Sequence, residues 1–169
     1  DVFEESNLNR QLLCDCSQLG KSKAQAAAAH IHRVNPQVSC EGIAVMLNAD
    51  NATELLAGCD LVFDALDSIE SRRLLAYAAA ASNLPVAYGA IRGWVAQAAL
   101  YLPGEPLIDL LYPPDARLSD KSALAFTPAV CAALQMSLAV KYLCGRPVST
   151  GTLYYVDLLN METATLPLR

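Results

Sequence analysis

The sequence predicts an α/β fold: a doubly wound, mainly parallel sheet with antiparallel strands at its C-terminal end. Short apolar runs typical of buried strands alternate with alanine-rich segments typical of helices, and this alternation favours parallel pairing. Two strand-like segments flank Asn160 and are typical of an antiparallel hairpin. The chain has 169 residues, of which 54% are hydrophobic and 17% charged, so it can fill a sizeable core and fits one domain, 1–169.

The N-terminal third contains two predicted helices and one predicted strand. Strong helix formers extend from 19 to 33 and stop at Asn35-Pro36, where a helix would end. Residues 38–47 alternate imperfectly between apolar and polar and predict a strand. Residues 51–56 predict a short helix, capped by Asp50 or Asn51 and ended by Gly58.

Three predicted strands and one helix form the middle of the chain. Residues 60–67 are an apolar run that ends in an acid, as expected for a buried parallel strand. Residues 68–82 predict a helix, and a second buried strand over 85–90 enters at a proline, where no ladder donor is lost. Residues 94–102 predict a third strand.

The C-terminal third begins with a predicted long loop over 103–121, which holds four prolines. A helix should follow over 127–144, with Thr127 as its N-cap and a proline at its first position. Residues 152–159 and 161–166 are the two strands of the predicted hairpin.

Composition excludes several classes of protein. Twelve basic and seventeen acidic residues give a net charge of −5, which argues against a general binder of nucleic acid or anionic membranes. The longest apolar stretch, 123–142, is interrupted by Pro128, Gln135 and Lys141, so we expect no membrane span. The first ten residues are unlike a signal peptide, and we expect a cytoplasmic protein.

The six cysteines predict neither disulfides nor a metal site. A chain this long and apolar needs no disulfide staples, so reduced thiols are expected. No cysteine pair has C-x-x-C spacing, and the two histidines, His30 and His32, lie on different faces of the predicted helix. Zinc is therefore not expected.

An acidic residue follows the first buried strand of the middle region. Ligands of open α/β sheets bind beyond the carboxyl ends of the strands, and Asp67 lies at such an end, with Asp64 three residues earlier. A carboxylate there can hold Mg²⁺, which often bridges to substrate phosphates. Alternatively, Asp67 caps the helix that begins at Ser68.

A polar, cationic set of residues lies before and at the start of the first long helix: Asn7, Arg10, Lys21 and Lys23. Arginine offers phosphate a rigid fork and lysine a mobile charge, so the set could bind a polyphosphate. An ordinary solvated helix start would look the same. Arg72, one turn into the helix after Asp67, could contact a ligand or pair with a carboxylate. The chain has eight glycines and no G-x-G, so a Gly-rich phosphate loop is absent.

Several motifs in order along the chain resemble the ThiF/MoeB/HesA adenylyltransferases, the bacterial relatives of ubiquitin-activating enzymes. The motifs are Ser6-Asn7-Leu8-Asn9-Arg10-Gln11, Leu19-Gly20-Lys21-Ser22-Lys23, Asn35-Pro36, Asp64-Ala65-Leu66-Asp67-Ser68 with Arg72, and Gly89-Ala90 with Gln97. The resemblance spans nearly the whole chain and implies a Rossmann-like fold. It also implies that ATP and Mg²⁺ adenylate the C-terminal glycine of a small ubiquitin-like sulfur carrier ending in Gly-Gly, and that the enzyme is a homodimer.

The resemblance also assigns roles to residues. Asp67 would bind Mg²⁺, and Arg10 and Asp67 would act directly in the reaction. Asn7, Arg10 and Lys23 would contact the nucleotide and its phosphates. Lys21 and Arg72 would be supporting contacts.

The chain departs from the family pattern in three places. Members begin with a strand, a Gly-rich loop and a helix, so this chain is expected to be N-terminally incomplete. Leu107 to Leu110 stand where many relatives have a zinc-binding C-x-x-C, and 120–123 lack the cysteine that some relatives use. Cys131 is expected to be buried packing. Two other readings remain: a catalytically silent scaffold that binds the carrier, and an unrelated doubly wound domain for another phosphate ligand.

Overall fold

The computed structural model of the chain describes residues 1–117 and 122–168. The chain divides into two compact units, Asp1–Met46 and Leu47–Arg169, each of which has its own internal packing.

The first unit is built around helix α1 (Lys23–Val34) and a short 3-10 turn, Glu5–Asn7. The Ser22 hydroxyl caps α1 by accepting a hydrogen bond from the Gln25 amide. The predicted start at residue 19 is too early, because Gly20 has a φ of +78°, outside the helical region. The end of the helix, at Asn35, is as predicted.

The strand predicted over 38–47 is wrong. The segment is irregular, and no strand among the described residues pairs with it. Val38 and Val45 are about half exposed, and Gly42 lies so close to α1 that a Cβ there would be 2.5 Å from the Ala24 carbonyl oxygen. Alternating apolar and polar residues do not form a strand when the backbone of the segment has no neighbouring strand to hydrogen-bond with.

The second unit contains a mixed sheet with the strand order β1-β2-β3-β4-β5. The strands are β1 (Val62–Asp64), β2 (Val86–Arg92), β3 (Val95–Tyr101), β4 (Thr152–Asp157) and β5 (Glu162–Pro167). The α/β class and the C-terminal hairpin are confirmed. Parallel pairing is confined to β1 and β2, where Asp64 lies opposite Tyr88, so antiparallel pairs predominate among the described strands.

Strand β1 is shorter and less buried than the sequence predicts. It lies at the edge of the described sheet, with Val62 and Asp64 buried and Phe63 42% exposed. The run 60–67 is largely apolar apart from its aspartates, and its composition alone did not distinguish a central strand from an edge strand.

Helices cover both faces of this sheet. On one face, α3 (Ile69–Ala81) contributes Leu75 and Ala79 to a core that includes Val86 and Tyr88. Its bounds agree with the predicted helix 68–82 to within a residue. The short helix α2 (Ala52–Leu55) joins the same core through Ala52, with Asn51 at its N-cap as predicted.

The segment predicted as a loop over 103–121 contains a further helix, α4 (Leu107–Leu111). Leu107 and Ile108 are buried in the same core as α3, and this burial stabilises a turn of helix among the prolines. Residues 118–121 of that predicted loop lie outside the described residues, as does part of the segment 120–123.

On the other face of the sheet lies α5 (Phe126–Leu143). Its N-cap is Ala125, not Thr127: the Thr127 side chain is fully buried and donates a hydrogen bond to the Gly93 carbonyl at 2.8 Å. By length and composition alone α5 could cross a membrane, but a helix that packs in a protein core passes the same test. Leu138 and Ala139 pack against the sheet, which is the packing of a core helix.

Candidate functional site

The buried carboxylate of Asp64 organises the C-terminal end of β1. Its side chain is 1% exposed, its Oδ1 accepts a hydrogen bond from the Leu66 amide at 3.0 Å, and its Oδ2 accepts one from Arg72 Nη1 at 2.8 Å. These bonds tie the strand, the loop that follows it and the first turn of α3 to one side chain. Asp64 therefore fixes the path of the chain toward Asp67.

The guanidinium of Arg72 is buried as well. It lies 5.1 Å from the centre of the Tyr88 ring, and the Tyr88 hydroxyl is hydrogen-bonded to the Tyr112 hydroxyl at 2.7 Å. Burial raises the pKa of Asp64, and the charge of Arg72 offsets part of that rise. The sequence left open whether Arg72 contacts a ligand or pairs with a carboxylate. In this structure Arg72 pairs with the carboxylate of Asp64. Its Nε is buried without a partner among the described residues.

Asp67 is exposed, and within the described part of the chain its side chain makes no hydrogen bond or ion pair. The cap of α3 is Ser68, whose hydroxyl accepts a hydrogen bond from the Ser71 amide at 3.1 Å. The alternative role of Asp67 as a helix cap is therefore wrong. Its carboxylate is available to a ligand at the carboxyl end of a strand.

Asp67 fits a magnesium ion that is held jointly with a substrate. Among the described residues, no three His, Cys, Asp or Glu side chains come together as a metal cluster. Mg²⁺ does not require such a cluster, since it is commonly bound by one or two carboxylates together with phosphate oxygens and water. The exposed, unpaired carboxylate of Asp67 is the kind of protein ligand that such a Mg²⁺ site uses.

The other predicted contacts lie in the first unit, and two of them shape its N-terminal turn. Asn7 is buried: its Oδ1 accepts from the Glu4 amide at 3.1 Å and its Nδ2 donates to Ser6 Oγ at 3.3 Å. Arg10 Nη1 donates to the Ser6 carbonyl at 2.7 Å and to Asn9 Oδ1 at 2.9 Å. The hydrogen bonds hold both side chains in defined positions.

The two lysines have different surroundings. Lys23 Nζ lies 2.5 Å from Asp1 Oδ2, and the lysine side chain is 27% exposed. Lys21 is exposed and lines an open cavity of about 580 Å³ together with His30 and Arg33. The structure thus pairs Lys23 with Asp1, while Lys21 lines a cavity that also contains the carboxylate of Asp15.

Sequence reasoning missed Gln135, a buried amide on α5. Its Nε2 donates hydrogen bonds to the carbonyl oxygens of Asp64 and Ala87, at 3.0 Å each. The signal in the sequence was a single glutamine inside an apolar helix, where a polar side chain needs buried partners. Cys131, one turn earlier, is 5% exposed, which confirms the expectation of buried packing.

A family model described as the ThiF family matches residues 1–169. This chain belongs to the ThiF family. An unrelated doubly wound domain is therefore excluded. The motifs around Arg10, Lys23 and Asp67 lie within the matched range.

Two curated relatives align with all of this ThiF-family chain. The SAMP-activating enzyme E1 of Haloferax volcanii is 32% identical over 179 residues, and the alignment covers 65% of that protein. The sulfur carrier protein adenylyltransferase of Thermus thermophilus is 35% identical over 183 residues, with 67% of its length covered. The chain thus spans about two thirds of the length of these relatives.

Solved structures support the same fold. The crystal structure of E. coli MccB with ATP has a TM-score of 0.80 and 20% identity to this chain, and the match covers 99% of this chain and 54% of MccB. A second E. coli MccB structure, with MccA-N7isoASN, has a TM-score of 0.82 and 17% identity. At this identity the likeness establishes the fold alone.

Proposed function

We propose that this ThiF-family chain takes part in the ATP-dependent adenylation of the C-terminal glycine of a small ubiquitin-like sulfur carrier. The observation that carries the proposal is the exposed, unpaired carboxylate of Asp67, which follows a strand end fixed by the buried Asp64–Arg72 pair. The names of the relatives from Haloferax volcanii and Thermus thermophilus support the same class of substrate.

The proposed reaction joins two anions. A carboxylate oxygen of the carrier's terminal glycine forms a bond to the α-phosphorus of ATP, the bond from that phosphorus to the bridging oxygen breaks, and pyrophosphate leaves. Charge on the phosphate oxygens rises in the transition state, so cations near those oxygens lower the barrier. Arg10, Lys21 and Lys23 are the cations we assign to this role, with Asn7 as a neutral contact to the nucleotide.

Asp67 is the residue we assign to Mg²⁺, which would supply a positive charge between the phosphate oxygens and the protein. Arg72 is held by Asp64, so its support for the nucleotide comes through the position of the loop before α3. Arg72 would contact a phosphate directly only if its ion pair with Asp64 opened.

The partner and location belong to the same proposal. The carrier would be a small protein ending in Gly-Gly, and the enzyme a cytoplasmic homodimer, as the family resemblance implies. Exposed apolar side chains on α5, among them Met136 and Val140, support association with a second copy. Residues 1–169 are proposed to belong to a single ThiF-type adenylyltransferase domain that includes both compact units.

ATP–pyrophosphate exchange with Gly-Gly-ended carriers tests this function in the full-length protein. Asp67→Asn removes the metal ligand and should lower the exchange rate by about 100-fold or more. Asp60→Asn, which neutralises another exposed carboxylate close to β1, is the matched control and should keep the rate. Carrier capture without any exchange by the full-length protein would instead indicate the silent scaffold.

A further inference from the structure

The amide of Gln135 joins the end of β1 to the start of the neighbouring strand β2. Gln135 is 7% exposed and lies on α5, and its Nε2 is 3.0 Å from both the Asp64 carbonyl of β1 and the Ala87 carbonyl of β2. Asp64 is the last residue of β1. One side chain from the helix therefore hydrogen-bonds to a carbonyl on each of the two parallel strands.

The Gln135 amide occupies the space where a side chain at position 89 of β2 would begin, and residue 89 is glycine. A Cβ at Gly89 would lie 2.2 to 2.6 Å from the carbon, oxygen and nitrogen of the Gln135 amide. Real Cβ atoms do not approach other atoms this closely, so the amide would have to leave its place. The Gln135 hydrogen bonds therefore require glycine at 89.

Asp64 is held from three sides when Gln135 is included. Its carbonyl accepts from Gln135, and its carboxylate accepts from the Leu66 amide and from Arg72. Asp67 follows only three residues later and has no hydrogen bonds of its own within the described chain. The short loop that carries Asp67 is therefore held by the contacts of Asp64 on one side and by the Ser68 cap of α3 on the other.

We propose that Gln135 is a positioning residue for Asp67, acting through the Asp64 carbonyl without touching the substrate. Loss of the amide removes the hydrogen bonds that α5 makes to the two strands and frees the end of β1 to shift. Groups that orient a metal ligand from behind commonly change metal affinity by about 10- to 100-fold when they are removed. The catalytic consequence rests on the proposed function, whereas the effect on the loop does not.

The test uses Gln135→Met in the full-length protein, since methionine is close in size but donates no hydrogen bond. Hydrogen exchange at the Leu66 amide, which donates to Asp64, should become about tenfold faster relative to amides in the interior of α3. In ATP–pyrophosphate exchange at fixed ATP, the Mg²⁺ concentration for half-maximal rate should rise about tenfold, with the rate recovering at high Mg²⁺.

A second variant and a control separate positioning from packing. Gly89→Ala keeps Gln135 but displaces its amide, and should reproduce both effects. Leu138→Ala removes a buried apolar side chain from α5 that makes no hydrogen bond to either carbonyl. It should lower the free energy of unfolding without changing the Leu66 exchange ratio or the Mg²⁺ requirement.

The proposal is overturned if Gln135→Met behaves like Leu138→Ala, losing stability while Leu66 exchange and the Mg²⁺ requirement stay at wild-type values. Wild-type protein without exchange activity would count against the proposed function alone. In that case the rate of hydrogen exchange at the Leu66 amide still tests whether Gln135 holds the loop after β1 in place.

Discussion

Arg72 and Asp64 form an ion pair inside the protein: Arg72 Nη1 lies 2.8 Å from Asp64 Oδ2, and the two side chains are 6% and 1% exposed. The guanidinium also lies over the Tyr88 ring. A residue that the family resemblance assigns to the nucleotide is thus engaged with a carboxylate of its own chain. The pair connects β1 to α3 on either side of Asp67.

Removing one member of this pair should destabilise the protein strongly. Arg72→Met leaves the Asp64 carboxylate buried without its charge partner and should lower the free energy of unfolding by about 3 kcal/mol. The double variant Asp64→Asn, Arg72→Met removes both charges and should recover more than half of that loss. Urea denaturation measures both values, and equal losses in the single and double variants would contradict the prediction.

Lys23 should matter to activity much more than to stability. Its ion pair with Asp1 is partly exposed, since the two side chains are 27% and 70% exposed, so Lys23→Met should change the free energy of unfolding by less than about 1 kcal/mol. The exchange rate should fall by about tenfold or more if Lys23 neutralises phosphate charge. Lys141→Met, at an exposed position of α5, is the control. An unchanged rate in Lys23→Met would remove Lys23 from the proposed site.

Much of the fold follows from local sequence signals. Helix α1 ends at Asn35, α3 begins after a serine cap, and the β4–β5 hairpin turns around Asn160, all features that depend on residues close in the chain. The parallel pairing of β1 and β2 was also predictable, since a helix separates the two strands.

The errors arose where distant residues decide the outcome. Residues 38–47 have a strand-like pattern but no partner strand among the described residues, and Thr127 has a capping side chain that instead bonds to Gly93. The sequence alone did not show whether Arg72 binds a ligand, because its ion-pair partner Asp64 is identified only in the structure. Gln135 stood out as polar, but the carbonyls that it binds belong to strands far away in the chain.

The Thr127 hydroxyl should contribute measurably to stability. It is fully buried and donates to the Gly93 carbonyl at 2.8 Å, so Thr127→Val keeps the shape of the side chain but leaves that carbonyl without its donor. The expected loss is about 1 to 2 kcal/mol of unfolding free energy. Thr127→Ser retains the hydroxyl and should lose less. If chemical denaturation showed Thr127→Ser to be less stable than Thr127→Val, the role of the hydrogen bond would be refuted.

Cys131 should make the stability depend on alkaline pH. Burial raises the pKa of its thiol from 9.0 to about 11. As the pH rises from about 9 to about 11, the unfolded thiol loses its proton while the native thiol keeps it, so stability falls by about 2 to 3 kcal/mol in total. Below pH 9 the contribution is fully present.

The comparison of wild type with Cys131→Ala isolates this effect, because the other groups that titrate in this range are common to both proteins. The difference between their unfolding free energies should shrink or reverse as the pH rises. Cys144→Ala, which removes an exposed thiol, should follow the wild-type curve. Parallel curves for wild type and Cys131→Ala would show that the native thiol titrates normally.

The close approach of Gln135 to Gly89 has a consequence for how this sequence can drift. A side chain at 89 would displace the amide of Gln135 from its hydrogen bonds, so a larger residue there is less costly once that amide has been lost. A return to glutamine at 135 then restores the hydrogen bonds only if 89 is glycine again. The two positions should therefore change together in descendants of this gene, with the order of the two substitutions constrained. A homologue with alanine at 89 is expected to carry a shorter or apolar side chain at 135 and to secure the end of β1 by other means.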